Sequence, residues 1–450
     1  MGISETELKL SYDVKTAFIW ACDEIPYIVV EDDQLLNSYD NTECFTTKNG
    51  LNEHLKRLEM INGVNADTFF PRCYDMSEPT EAKLFSDDFM ITAARSILKW
   101  IAQRISTPVQ AEETPRNNNT IPFSEDLILT TLKVCKMCLG TSTNEDVEKE
   151  IEELDPDWIE FVEGYYSIIH DGAEIDIPAK YAEQCRHVLD QIEAILPQLE
   201  IDAGKNIWIL KPAFLSRGRS ICCINRIDDV GTFLQSRQNR KITKQWMIQK
   251  YIERPFLIYG TKFDLRQYFL VTDWNPITVW FYKETCGRFS SQPFDLDNLD
   301  HSIHLCNRSI QQYLTNCPTR HPDLPEDNLW SNVQLKEYLR MIGAEHAFEE
   351  VMVPGMKKAI YYTLQVCQDI VKHRKNSFDI YGADFLFGEN FNPWLIEINF
   401  RPDITSQATV TKALFESLLE DTLKVVIDRR NDPNCDIGAY ELIQKQVHFY

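Results

Sequence analysis

The segment YGADFLFGENFNPWLIEINFRP, residues 381–402, constrains the fold most strongly, because two apolar runs flank a turn rich in Gly, Asn and Pro. Such a pattern predicts two antiparallel strands joined as a hairpin. Side chains alternate between the faces of a strand, so Asp384 on the first run can converge with Glu397 and Asn399 on the second. Carboxylate and amide oxygens suit a hard cation such as Mg²⁺, which usually takes further ligands from phosphates. The hairpin therefore predicts either a Mg²⁺ and nucleotide site or the ordinary polar face of a solvated hairpin.

The rest of the chain alternates between strand-like and helix-like patterns. Aromatic and β-branched runs predict strands at TAFIWAC, NIWILKP, WMIQKYI, FDLRQYFLVTD and ITVWFYKET. Apolar residues at helical spacing predict helices at EDLILTTLKVCKMCLG, IPAKYAEQCRHVLDQIEAILPQL, GMKKAIYYTLQVCQDIVKHR and VTKALFESLLEDTLKVVIDRR. A stretch at 106–122 with almost no apolar residues predicts a flexible loop. Sheets alternating with helices indicate the α/β (α+β) class.

Composition limits the classes of function. A chain of 450 residues is long enough for two or three domains. Its net charge of -23 argues against a general nucleic-acid binder, which needs a basic face. The 13 cysteines are scattered and no secretory signal is present, which predicts reduced thiols in the cytoplasm. No apolar run approaches the roughly 18 residues that span a membrane.

Two short motifs have both a functional and a plain interpretation. The lone CxxC at Cys135–Cys138 could bind zinc or act in redox chemistry, but it lies inside an apolar helical pattern and equally fits a helix core. The start MGISET formally fits N-myristoylation at Gly2, although so short a pattern also arises by chance.

Two charged segments are candidates for anion binding. A predicted strand ends at Lys211, and the following loop carries Arg217 and Gly218, whose backbone and charge suit phosphate, although a plain basic turn is the alternative. This loop is not a P-loop, because GxxxxGK[ST] is absent. In GTKFDLRQYF, alternation puts Lys262, Asp264 and Arg266 on one face. These three could contact phosphate and ribose or form a salt-bridge ladder.

Several motifs together resemble the tubulin tyrosine ligase-like family, and more narrowly its tubulin glycine ligase branch. They are FTTKNGL, FFPRCY, KPAFLSRGR, QKYIERP, GTKFDLRQYFLVTDWNP, HLCNRSIQ and the pair YGADFLFG and WLIEIN. The resemblance covers nearly the whole chain. It implies an ATP-grasp fold with an N-terminal lobe at 1–75, a central lobe at 76–250 and a C-terminal lobe at 251–450, with ATP between the last two.

The resemblance also implies roles for individual residues. Arg266 and Arg288 would be catalytic, and Arg288 and Ser309 would bind the incoming amino acid. Asp384, Glu397 and Asn399 would hold Mg²⁺. The residues expected to bind ATP are Lys211, Arg217, Gly218, Gln249, Lys250, Tyr251, Ile252, Lys262, Asp264 and Asn307, of which Gln249 to Ile252 would form the adenine hinge. His304 is expected to be a structural hydrogen-bonding residue rather than a catalyst.

The implied reaction is ATP-dependent ligation of glycine to glutamate side chains in tubulin C-terminal tails through an acyl phosphate. The implied partners are microtubules and glycine, for a monomer without nucleic-acid or membrane partners, at the cytoskeleton and the axoneme of cilia or flagella. No lysine lies between Lys283 and Lys336, so this segment has no lysine to bind the side-chain carboxylate of an acidic amino acid, which suits glycine. Arg308 could supply that positive charge instead. The alternatives are a glutamate ligase of the same family and a non-catalytic microtubule-binding member.

The chain departs from the family pattern at four positions. Cys306 replaces a Thr, Ser220 a Gly, and Phe400 and Arg401 follow the metal-binding Asn where a small residue is usual. Phe400 would crowd the amino-acid pocket if it pointed inward.

The implied acceptor, the acidic C-terminal tail of tubulin, would bind best to a basic region on the surface of this acidic chain. The basic residues that could form such a region are Arg217, Arg219, Arg237, Arg240, Lys241 and Lys244. They fit a basic groove and a solvated charged loop equally well.

Overall fold

The computed structural model describes residues 17–20, 31, 33–106, 124–140, 158–175, 177–215, 217–239, 245–402 and 408–445. The chain divides into two compact units. The first comprises Met1–Phe70, Leu257–Pro293 and Leu305–Tyr450, and the second comprises Pro71–Phe256 and Phe294–His304. The three lobe boundaries expected from the sequence stay a prediction.

The described residues form a mixture of strands and helices. The strands are β1 (Phe18–Ile19), β2 (Leu35–Leu36), β3 (Cys73–Asp75), β4 (Trp208–Pro212), β5 (Cys222–Ile224), β6 (Trp246–Lys250), β7 (Phe263–Trp274), β8 (Ile277–Phe289), β9 (Leu329–Ser331), β10 (Asp379–Phe387), β11 (Pro393–Phe400) and β12 (Tyr440–Lys445). The α-helices are Glu43–Thr46, Lys48–Leu55, Leu58–Asn62, Pro79–Ser106, Glu125–Gly140, Trp158–Ile169, Ala179–Glu193, Ile227–Asn239, His301–His304, Arg308–Gln311, Asn332–Met341, Val353–Cys367, Thr409–Leu423 and Arg429–Asn431. Short 3₁₀ segments lie at Ala66–Thr68 and Pro197–Ile201, and π-helical segments at Phe348–Met352 and Lys424–Asp428.

The first unit is built on an antiparallel sheet in the order β11-β10-β7-β8-β12, with β9 pairing with β8. Aromatic and β-branched residues fill β7 and β8, as expected for strands that are buried over most of their length. One cluster of buried side chains packs Tyr268 and Leu270 of this sheet against Leu414 and Leu418 of the helix Thr409–Leu423. Asp264 and Arg266 lie on the same face of β7 as Tyr268 and Leu270, because alternate residues of a strand share a face.

The hairpin predicted from the sequence is confirmed. β10 and β11 pair antiparallel, with Asp384 opposite Glu397. The register then advances by one residue on β10, to Phe385, and by two on β11, to Leu395. This β-bulge lies beside the acidic pair, a position where bulges commonly re-aim side chains. Alternation along β11 puts Phe400 on the face opposite Asn399, and its ring lies 6.4 Å from that of Tyr381. That Phe400 would crowd the amino-acid pocket if it pointed inward stays a prediction.

The second unit has an antiparallel sheet in the order β3-β6-β4-β5. Its core lies between this sheet and the helices Pro79–Ser106, Glu125–Gly140 and Ala179–Glu193. Cys135 is fully buried in that core, and burial raises the pKa of its thiol well above the ordinary value. The CxxC motif therefore fits a helix core, and among the described residues no group of three or more His, Cys, Asp or Glu side chains is arranged to hold a metal.

The predicted strands and helices are confirmed in type, with shifts at their ends. In the described part of TAFIWAC, residues 17–20, Phe18–Ile19 pairs in parallel with Leu35–Leu36. Of the helices in the described ranges, none combines the length and the apolar character that crossing a membrane requires.

Some predictions lie outside the described residues. They are Gly2, the basic candidates Arg240, Lys241 and Lys244, and the loop predicted at 106–122. Of that loop the structure describes Ser106 alone, at the end of a helix.

Candidate active site

Four charged residues form one cluster on three neighbouring strands of the first unit; Asp264, Arg288 and Asp384 are buried, and Arg266 is partly buried. Asp264 of β7 lies opposite Arg288 of β8, and Arg266 of β7 lies opposite Asp384 of β10. Arg288 donates two hydrogen bonds to Asp264, from Nε to Oδ1 at 2.6 Å and from Nη2 to Oδ2 at 2.8 Å. Its Nη2 also lies 2.9 Å from Asp384 Oδ2. We call these four residues the charge cluster.

The carboxylate of Asp384 forms ion pairs with two arginines, Arg266 and Arg288. Arg266 binds it through Nε, and through Nη2 with a distance of 3.1 Å to Oδ2. Burial alone would raise the pKa of Asp384, but the charges of Arg266 and Arg288 outweigh it and hold the pKa below the ordinary value. For Asp264, burial outweighs the opposing charge of Arg288, and the nearby Asp384 adds to the rise in its pKa. The two carboxyl groups therefore differ in their affinity for a proton.

Two further oxygen-bearing groups extend the site along β11. Glu397 Oε2 lies 3.4 Å from Lys48 Nζ, and Glu397 Oε1 accepts a hydrogen bond of 3.3 Å from the Asn399 amide. Lys48 begins the helix Lys48–Leu55, whose N-terminus is capped by the side chain of Thr47. The sequence did not single out Lys48 as a site residue, although it lies in the FTTKNGL motif that carries the resemblance.

The residues present fit a hard divalent cation. Asp384 and Glu397 are paired across the hairpin, and Asn399 neighbours Glu397, so two carboxylates and one amide oxygen belong to one face. This is the donor chemistry that Mg²⁺ prefers. The surrounding cations, Lys48, Arg266 and Arg288, balance those carboxylates and suit anionic phosphate oxygens.

Lys262, Asn307 and Ser309 also belong to the first unit. Lys262 is buried, and its carbonyl accepts a hydrogen bond of 3.0 Å from the Ser290 N–H. The Cys306 thiol lies 3.7 Å from the same carbonyl. Asn307 precedes the helix Arg308–Gln311, which also contains Ser309.

The remaining candidates lie in the second unit. Lys211 Nζ donates to Gln249 Oε1 at 2.7 Å, and Gln249 donates to the carbonyl of Pro71 at 3.0 Å. Arg217 and Gly218 have φ values of 63° and 68°, which make the loop after β4 a left-handed turn. Tyr251 and Ile252 are buried directly after β6.

Lys250 has a different environment from that expected of a ligand-binding lysine. Its Nζ lies 2.5 Å from Glu253 Oε1 and 3.1 Å from Asp202 Oδ1, and its side chain is fully buried. Its backbone N–H donates to the backbone carbonyl of Arg72 at 2.9 Å. Lys250 therefore holds the segment after β6 in place through its side chain.

His304 behaves as a structural residue. Its Nδ1 is 2.7 Å from the Tyr251 hydroxyl, and its Nε2 is 2.8 Å from the carbonyl of Asn298. With both ring nitrogens engaged and the side chain buried, it fits the predicted hydrogen-bonding role.

An antiparallel sheet that gathers buried carboxylates and arginines on one face is typical of an enzyme that handles anionic substrates. Comparison with known proteins specifies the family. The model of the tubulin-tyrosine ligase family matches residues 156–434, so the chain belongs to that family.

The relatives carry the names of glycine ligases. The chain is 45% identical over 431 residues to tubulin monoglycylase TTLL3 of Mus musculus, covering 92% of this chain and 46% of that protein. It is 42% identical over 446 residues to protein monoglycylase TTLL8 of Mus musculus, covering 94% and 54%. It is 35% identical over 416 residues to tubulin glycylase 3A of Drosophila melanogaster, covering 90% and 41%. The chain thus spans about half the length of these relatives, and the resemblance to the glycine ligase branch is confirmed.

Proposed function

We propose that the chain is an ATP-dependent carbon–nitrogen ligase that joins glycine to glutamate side-chain carboxylates in tubulin C-terminal tails. The observation that carries the proposal is the charge cluster beside Glu397 and Asn399, on a chain whose relatives are named glycylases. The antiparallel sheets of the two units support an ATP-grasp fold.

The charge cluster would stabilise phosphoryl transfer. Arg266 and Arg288 are held in place by Asp264 and Asp384, so their guanidinium groups need little reorganisation when negative charge develops. Transfer of the ATP γ-phosphoryl group is catalysed mainly by positioning and charge neutralisation. We assign Arg266 to the transferred phosphoryl group.

Asp384, Glu397 and Asn399 are the residues that would hold Mg²⁺. When bound, Mg²⁺ neutralises charge on the ATP phosphates. Glu397 would remain oriented by Lys48, whose ammonium lies 3.4 Å away.

The nucleotide contacts are proposed from both units, each taken by itself. In the second unit, Lys211, Arg217 and Gly218 would contact phosphates, and the segment Gln249 to Ile252 would bind adenine. In the first unit, Lys262, Asp264 and Asn307 would contact the nucleotide. The side chain of Lys250 would stabilise this segment rather than contact the nucleotide, because its ammonium forms ion pairs with Asp202 and Glu253.

The proposed reaction has two steps. A glutamate carboxylate oxygen of the tubulin tail takes the γ-phosphoryl group, and ADP leaves. The neutral amino group of glycine then attacks the acyl carbon, the carbon–oxygen bond to phosphate breaks, and the nitrogen loses a proton as the isopeptide bond forms. Arg288 and Ser309 would line the amino-acid pocket. Such an enzyme would act on microtubules of the cytoskeleton, including the axoneme of cilia or flagella.

The test uses purified protein with microtubules, Mg-ATP and labelled glycine, glutamate or tyrosine in parallel reactions, followed by mass spectrometry of the tubulin tails. We expect glycine on glutamate side chains, with ADP released. Incorporation of glutamate would instead indicate the neighbouring branch of the family. Microtubule binding without incorporation of any amino acid would refute the proposal and favour a non-catalytic protein.

A further inference from the structure

Gly382 lies in the middle of β10, where the backbone does not require a glycine. It is buried and lies two residues before Asp384, on the same face of the strand. Its φ lies outside the left-handed region, unlike that of Gly260 at 68°, so an L side chain could adopt this backbone conformation. A glycine inside a strand often marks a place where other atoms approach the backbone closely.

The side chain of Arg266 is the group that approaches Gly382. A Cβ added to Gly382 would lie 2.9 Å from Arg266 Cδ and 3.4 Å from Arg266 Nε. Two carbon atoms pack best at about 3.5–4.0 Å, so the shorter distance is a collision. Any side chain at residue 382 would therefore strike the middle of the Arg266 side chain.

The surroundings of Gly382 leave little room to relieve such a collision. The same added Cβ would lie 3.1 Å from Pro402 Cβ, so it could not move freely toward that neighbour. The far end of Arg266 is held by Asp384, through Nε and through Nη2 at 3.1 Å. Because Arg266 is fixed at its backbone and at its guanidinium, displacing Cδ would weaken the ion pair with Asp384.

The backbone of Gly382 also contacts a residue of the proposed metal site. Gly382 pairs with Asn399 of β11, and its carbonyl accepts a hydrogen bond of 3.4 Å from the Asn399 side-chain nitrogen. The same nitrogen lies 3.3 Å from Glu397 Oε1. Both contacts use the NH₂ group of Asn399 and leave its Oδ1 for a cation.

We propose that Gly382 is a positioning residue of the ligase: because it has no side chain, Arg266 can lie along β10 and present its guanidinium to the transferred phosphoryl group. This inference rests on the proposed function and on the role which that function gives to Arg266. Since Nε and Nη2 face Asp384, Nη1 is left for a phosphoryl oxygen. Stabilisation of developing charge depends on donors that are fixed before the reaction begins.

The experiment compares the full chain with Gly382→Ala and with the matched control Gly287→Ala. Gly287 is a buried glycine of β8 in the same sheet, and its φ also lies outside the left-handed region. A Cβ added there would lie 3.5 Å from Leu265 Cδ2 and 3.6 Å from Trp330 Cβ, which are ordinary contacts. Arg266→Ala and the double variant Gly382→Ala/Arg266→Ala complete a double-mutant cycle.

We expect Gly382→Ala to lower kcat by roughly tenfold to a hundredfold, the effect of misplacing a reacting group by about 1 Å. KM for glycine and for tubulin should stay within about twofold, since the lost interaction belongs to the transition state. Gly287→Ala should keep kcat within about twofold of wild type, because its added methyl group displaces no side chain of the site.

A second readout uses the protein without ligands. Overpacking at residue 382 should lower Tm by about 3–10 °C in Gly382→Ala. In the Arg266→Ala background the same methyl group should lower Tm by no more than about 2 °C, because the side chain that it would strike is absent. The affinity for a non-hydrolysable Mg-ATP analogue, measured by calorimetry, should likewise be the same in Arg266→Ala and in the double variant.

Two results would overturn the inference while leaving the proposed function intact. One is a Gly382→Ala enzyme with the kcat of wild type. The other is an equal fall in Tm in the wild-type and Arg266→Ala backgrounds, which would assign the collision to Pro402 and limit Gly382 to folding. If Gly382→Ala does not fold, a folded double variant supports the inference and an unfolded one refutes it. A wild-type enzyme that ligates no amino acid would refute the proposed function and this inference together.

Discussion

Replacing Glu253 by Gln should destabilise the second unit severely, because this one side chain satisfies four donors. Glu253 Oε1 accepts from Lys250 Nζ at 2.5 Å and from the Ile207 N–H at 2.6 Å. Its Oε2 accepts from the backbone N–H groups of Ala203 and Lys205 at 2.9 and 3.0 Å. Only 2% of the residue is exposed, so water cannot replace these contacts.

The magnitude follows from what the amide can and cannot do. Removing one partner of a buried ion pair typically costs about 3–5 kcal/mol, and we take the lower end because Lys250 keeps Asp202 at 3.1 Å. The amide NH₂ of Gln would face the two N–H donors that Oε2 now satisfies, and each unmet donor costs about 1–3 kcal/mol. We therefore expect a loss of at least about 5 kcal/mol in the free energy of unfolding of this unit, or a fall in Tm of about 10–20 °C.

The assay is differential scanning calorimetry of the full chain, combined with hydrogen exchange of peptides that cover β4 and β6. The exchange data assign the loss to the second unit, since two units need not unfold as one. Glu174→Gln is the matched control, because Glu174 forms a half-exposed pair with Arg104 and should contribute little. A Glu253→Gln protein with a Tm within about 3 °C of this control would refute the reasoning.

Three further predictions concern the site and its surroundings. Glu397→Gln should abolish ligation while leaving Tm within about 2 °C of wild type, since it removes one charge from the proposed metal site at a partly exposed position; normal turnover would exclude the metal assignment. Burial, aided by Lys205, lowers the pKa of His170 to about 4, so between pH 4 and 6.5 the unfolded chain binds more protons and stability falls as pH falls. Urea unfolding across that range should show a slope that His170→Gln flattens, and an unchanged slope would rule out His170 as its source. Phe400→Ser should leave KM for glycine within about twofold, because Phe400 faces Tyr381 on the opposite side of β11; a large change in KM would mean that it reaches the pocket.

The sequence predicted the strands of the site because each carries enough aromatic and β-branched residues to reveal its period. It also predicted that Asp264 and Arg266 share a face and that Asp384 meets Glu397, since alternation and a tight turn determine both. These inferences need only local geometry.

The side-chain partners of those residues could be identified only from the folded structure. The pairing of Asp264 with Arg288 depends on the register between β7 and β8, which contains irregularities that no local pattern reveals. The bulge beside Asp384 is likewise a property of two strands together. Lys48 reaches Glu397 from almost the other end of the chain, so only tertiary packing brings them together.

The mutual pairing within the charge cluster has a consequence for how such a site can diverge over evolutionary time. Each member restrains its neighbours, so losing Asp264 alone would leave Arg288 free to bind Asp384 more completely. The proposed metal site would then be damaged by a substitution at a residue that need not touch the metal. Related proteins should therefore keep all four residues of the charge cluster or change an acid and its arginine together. A related protein that lacks one member of the cluster should have a weakened proposed metal site.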